Sequence, residues 1–107
     1  MNKLTIDWFK LEAQFNHPQL LRRWLEDFLA GSEQEQALLQ QALFKKRSSP
    51  ALELQLQGVA ALLCSPALHY CLQQLKQSEH AQQPLQQCWQ VYQELLIEVA
   101  QKLEQPI

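Results

Sequence analysis

The residue types able to carry chemistry are few and scattered. The chain has three histidines, His17, His69 and His80, and an imidazole can serve as nucleophile, proton carrier or metal ligand. No HExxH or other paired metal-ligand spacing links them. Cys64, Cys71 and Cys88 are odd in number and have no CxxC spacing, so a disulfide frame or zinc knuckle is not expected and buried free thiols are. The carboxylates Glu26 and Asp27, and Glu94 with Glu98, read as solvated helix faces and not as acid–base pairs. There is no glycine-rich phosphate loop and no nucleophile elbow. Trp8, Phe9, Trp24, Phe28, Phe44, Trp89 and Tyr92 fall at helical spacing and read as core, not as a cofactor box. The pattern predicts no catalytic residue, no metal and no cofactor.

The bulk properties narrow the classes further. A length of 107 residues is one domain, 1–107, able to bury a core without metal or disulfides. A net charge of -2 gives no field that would gather nucleic acid or anionic lipid, and the one dense basic run, Lys45-Lys46-Arg47, is short. No apolar stretch is long enough for a membrane span, and Asp7 and Lys10 stand where a signal peptide needs an apolar run. The expected location is the cytoplasm. Glutamine pairs such as Gln40-Gln41 and Gln73-Gln74 lie between apolar residues at helical spacing and read as helix surface.

The elements follow from periodicity and caps. Thr5 to Phe15 is a short amphipathic segment, with Ile6, Trp8, Phe9, Leu11 and Phe15 as its apolar set, expected to lid one end of the core. Asn16 is placed to cap the next helix and Pro18 to open it, with Leu20, Leu21, Trp24, Leu25, Phe28 and Leu29 inward and Gly31 as its stop. Ser32 and Glu35 form a capping box for a helix with Leu38, Leu39, Ala42 and Leu43 inward, ending at the basic run. A helix from Ser48-Ser49-Pro50 to about Leu63 is interrupted at Cys64-Ser65-Pro66. The next carries Leu68, Cys71, Leu72 and Leu75. From Pro84 a last helix places Leu85, Cys88 or Trp89, Tyr92, Leu96, Val99 and Leu103 in a three-four rhythm. The expected fold is all-α, an antiparallel four-helix bundle with a short N-terminal helix.

The helix after Pro50 departs from simple bundle patterning. At about 100° per residue, Leu52, Leu56, Val59, Ala60 and Leu63 share the core face, while Leu54, Gln57, Gly58 and Ala61 cluster opposite. A bundle normally has charged residues there. Glycine inside a helix costs about 1 kcal/mol against alanine, so Gly58 implies the close approach of another backbone. Either a neighbouring helix of the same domain or an external partner would satisfy it.

The segment Leu54-Gln55-Leu56-Gln57-Gly58-Val59-Ala60-Ala61-Leu62-Leu63 resembles the active helix of histidine phosphotransfer (HPt) domains, whose motif reads His-x-Leu-Lys-Gly-Ser/Ala-Ala/Ser and continues to a Leu-Gly. Leu56, Gly58 and Ala60 match it, and the neighbouring segments, Pro18 to Leu29, Ala67 to Leu75 and Leu85 to Leu103, resemble other helices of that family. Leu54 stands in place of the phosphorylated histidine and Gln57 in place of the lysine beside it. Leucine offers no lone pair to a phosphoryl group, and glutamine lacks the point charge. The resemblance therefore implies a degenerate HPt-like interaction module. It would bind a response-regulator receiver domain or a histidine kinase through Leu54, Gln55, Gln57, Gly58 and Ala61 with no phosphotransfer, while charge and hydropathy point to no nucleic-acid and no membrane partner. Two alternatives stand beside it: a phosphotransfer protein active through another histidine, and a generic helical adaptor or chaperone. His69 is the foremost of the histidines for the first, although the 15 residues separating it from Leu54 place it toward the other end of the bundle. The oligomeric state is open.

Overall fold

The computed structural model describes residues 4–80 and 82–105, so only Leu4 onward of the N-terminal stretch lies within it. Six helices occur among these residues, and no strand: α1 (Trp8–Phe15), α2 (Pro18–Gly31), α3 (Glu33–Lys45), α4 (Pro50–Leu62), α5 (Pro66–Gln77) and α6 (Gln82–Glu104). The 23 residues of α6, at about 1.5 Å each, run along most of the 44 Å long dimension. Against α6 pack α2, α3 and α5, while α4 touches α3 and α5, and α1 lies on α2.

Serine and proline set the starts of α4 and α5. Ser49 accepts a hydrogen bond from the Leu52 amide and Ser65 one from the Leu68 amide, both at 3.2 Å, and a proline follows each, supplying a fixed φ where no amide hydrogen is needed. Between α4 and α5 the chain reverses at Cys64, which takes a left-handed φ of 52°. Two expected caps are corrected. Asn16 does not cap α2; it closes α1 in the left-handed region, and His17 is the cap, its Nδ1 accepting from the Leu20 amide at 3.2 Å. The capping box at Ser32 is also absent. Ser32 keeps helical dihedrals (φ −70°, ψ −14°), so α2 runs almost directly into α3, and its hydroxyl donates to the Leu29 carbonyl and accepts from Gln36. A side-chain cap forms only where the backbone leaves the helix, and here it does not.

The buried residues form one cluster drawn from all six helices. In α6 the inward set is Leu85, Cys88, Tyr92, Leu95 and Val99, a strict alternation of three and four. Leu95, and not the expected Leu96, is the fully buried member. Leu20, Phe9 and Phe44, expected inward, are exposed at 55%, 86% and 88%. Phe15 and Trp24 pack with ring centroids 5.3 Å apart, fastening α1 to α2.

Glu98 was expected to be solvated but holds the N-terminal segment to α6. Its two oxygens accept from the amides of Thr5 (2.7 Å) and Ile6 (3.2 Å). Ser65 donates to the Thr5 carbonyl at 2.7 Å, and the Asp7 amide donates to the Cys64 carbonyl at 2.8 Å. Thr5 and Ile6 are thereby buried. Glu98→Ala removes both acceptors from amides that folding has desolvated, and unfolding in urea is expected to show a loss of about 1–3 kcal/mol. A loss no larger than that of an exposed Glu104→Ala control would contradict this role.

Candidate protein-docking face

The core positions expected in α4, namely Leu52, Leu56, Val59, Ala60 and Leu63, are all buried, and Leu54, Gln55, Gln57, Gly58 and Ala61 are all exposed. Leu54 is 72% exposed. A Cβ built on Gly58 would meet nothing within 4 Å. Among the described residues, no neighbouring helix comes close enough to Gly58 to require a glycine there.

Two depressions flank this face. On one side lies an apolar groove of about 270 Å³, with Trp24 and Phe28 from α2, Glu35 from α3, and Leu54, Gly58 and Leu62 from α4. Leu62 is 61% exposed, so two leucines stand one turn before and one turn after the glycine. On the other side lies a more polar depression of about 360 Å³, with Lys10 and Gln14 from α1, Gln57 and Ala61 from α4, Cys64 from the reversal and His69 from α5. The turn at Cys64 brings α5 back along α4, so His69 shares this depression with Gln57 and Ala61 and is not remote from the face, contrary to the sequence expectation. Lys76 of α5 donates to the Gln57 side-chain oxygen at 3.2 Å. A cation thus stands beside the position where the chain itself has only an amide.

The three histidines are not brought together. His17 is occupied as a helix cap, His69 pairs through Nε2 with Gln73 at 3.1 Å on the α5 surface, and His80 lies in the exposed turn held by Ser78. Among the described residues no group of three or more His, Cys, Asp or Glu side chains is placed to hold a metal ion, and no helix is long and apolar enough to cross a membrane. A third depression, about 400 Å³ between α1, α2 and α6, contains Arg22 and Lys102. Both are already engaged. Arg22 donates to the carbonyls of Leu103 and Gln105, and Lys102 lies 2.6 Å from Glu12 and above the Trp8 ring, which makes this region a seam between helices.

The cysteines are buried and free. Burial pushes the Cys88 thiol up to about 12, with the neighbouring Cys71 adding to the effect, and burial followed by Glu94 raises Cys71. Since the thiolate is the reactive form, Cys71 and Cys88 are expected to react with a thiol reagent only as fast as the protein opens. Rapid labelling of both in the native protein would mean that the inward faces of α5 and α6 are wrong.

Helical periodicity alone does not assign Trp24, Phe28, Leu62 and Lys76 to the face. Leu62 does carry a signal, since it lies four residues beyond Gly58. The others come from helices whose placement only the tertiary structure gives. No family model matches the chain, and comparison with curated proteins and with solved structures finds no match.

Proposed function

We propose that this chain is a degenerate HPt-like module of bacterial two-component signalling, working in the cytoplasm. In this reading α2 with α3, α4, α5 and α6 are the four members of an antiparallel bundle, with α1 as its short N-terminal helix. The α4 face binds a response-regulator receiver domain, or a histidine kinase, without catalysis or phosphotransfer. The observation that supports it best is Gly58. A helix-interior glycine costs about 1 kcal/mol, its would-be Cβ points into open space, and an exposed leucine stands on either side of it along the helix. A glycine at the centre of a partly apolar strip lets a partner backbone come close.

The experiment is incubation with receiver domains from the source organism in their phosphorylated form. At least one is expected to bind and to keep its phosphoryl group, leaving this chain unlabelled, because Leu54 cannot accept it. Acid-labile phosphate on His17, His69 or His80 would overturn the non-catalytic assignment. One observation favours His69 as the route of that second reading: it is exposed, and it shares its depression with Lys10 and the small residue Ala61. Failure of every receiver and kinase to bind would leave the generic adaptor as the better account.

A further inference from the structure

The C-terminal end of α3 forms a different kind of surface. Phe44 is 88% exposed, more than any other large apolar side chain among the described residues. Lys45, Lys46 and Arg47 follow it directly and are all exposed. None of the three lies within 4 Å of a described carboxylate. Glu53, the acid that follows them in sequence, is instead hydrogen-bonded to Ser48 at 2.9 Å. The turn presenting these side chains is fixed by its backbone. Lys46 closes the helix with a φ of 59°, its amide donating to the Leu43 carbonyl at 3.3 Å, and the Arg47 amide donates to the Ala42 carbonyl at 3.1 Å. Compensation of the helix dipole accounts for a cation at this end. It does not account for an aromatic ring held in water.

We infer that this tip docks an acidic protein segment that carries an apolar side chain against Phe44 and carboxylates against Lys45, Lys46 and Arg47. The charge distribution selects this occupant. The whole chain carries -2, so with these three cations set aside the remainder is acidic. An anionic bilayer or a polynucleotide presents its charge over a wide area and would meet that acidic remainder as well as the tip. Three cations also give only a weak attraction to an anionic leaflet, and one phenyl ring adds little depth of insertion. A carboxylate cluster on a protein is local, and beyond a Debye length of about 8 Å it does not sense the rest of the surface. An exposed ring followed directly by three exposed cations offers an apolar anchor with charges beside it in the chain, and charges at an interface steer and orient a partner of opposite sign. The inference is independent of receiver docking at α4.

The test is selection from a random peptide display library against the intact chain, followed by amide shift mapping and affinity measurement of the recovered peptides. Peptides combining Asp or Glu with large apolar residues are expected, with shifts centred on Phe44 to Arg47. Their affinity should fall roughly tenfold or more in Phe44→Ser and in Lys45→Glu with Arg47→Glu, and stay unchanged in Gly58→Glu. These positions are exposed, so circular dichroism should show the variants folded. Recovery of no binders, of binders without acidic residues, or of binders that map elsewhere would overturn the inference. Vesicles of phosphatidylcholine with phosphatidylserine and a single-stranded oligonucleotide are expected not to bind at physiological salt. Binding of either through Phe44 to Arg47 would overturn the assignment to a protein partner.

Discussion

Gly58→Glu is expected to abolish receiver binding while leaving helix content intact and the thermal midpoint nearly unchanged. Replacing a helix-interior glycine favours the helix by up to about 1 kcal/mol, and no atom within 4 Å obstructs the new Cβ. Repulsion from Glu35, which lines the same groove, offsets part of that gain. At the interface the effect is far larger, since the new carboxylate would hold a partner helix off and would have to be desolvated against it, a penalty of several kcal/mol. Binding should fall by orders of magnitude. Gly58→Ala is the companion variant: isothermal titration should show a smaller loss, and thermal unfolding a clear gain in stability. If Gly58→Glu unfolds the domain, the open-face account of α4 fails.

Leu56→Ala and Leu54→Ala, two residues apart on α4, should have opposite consequences. Leu56 is 0% exposed, and its truncation leaves a cavity in the core, costing about 2–5 kcal/mol in urea unfolding. Leu54 projects into solvent, and its truncation should change stability by less than about 0.5 kcal/mol while weakening the partner complex. Equal destabilisation by the two would mean that α4 is rotated from the orientation described.

The agreement on α4 has a simple origin. Its five inward residues repeat at the period of the helix and its ends are marked by Ser-Pro pairs, so pattern and local chemistry point the same way. The misplaced features are those in which a distant part of the chain decides. Glu98 looks like any exposed acid until the N-terminal segment folds back and offers it two amides. Ser32 and Glu35 have the spacing of a capping box, but α2 runs into α3 without the break that would call on it. The choice between Leu95 and Leu96 depends on the direction from which α6 is covered, and both are compatible with helical periodicity. His69 joins the edge of the candidate face because Cys64 adopts a left-handed conformation, a local event that composition does not forecast. The groove beside Gly58 needed Trp24 and Phe28 from α2, whose aromatic spacing read as core. They are half-buried, with one side toward the core and the other available to the groove.

The measurement that bears most directly on the proposed function is amide shift mapping of the isotopically labelled chain during titration with an unlabelled, phosphorylated receiver domain that binds it. The account predicts saturable shifts centred on Leu54, Gln55, Gln57, Gly58, Ala61 and Leu62, extending across the groove to Trp24 and Phe28, with no phosphohistidine formed and the receiver's phosphoryl group retained. Shifts that bypass α4, or transfer of the phosphoryl group to one of the three histidines, would contradict it.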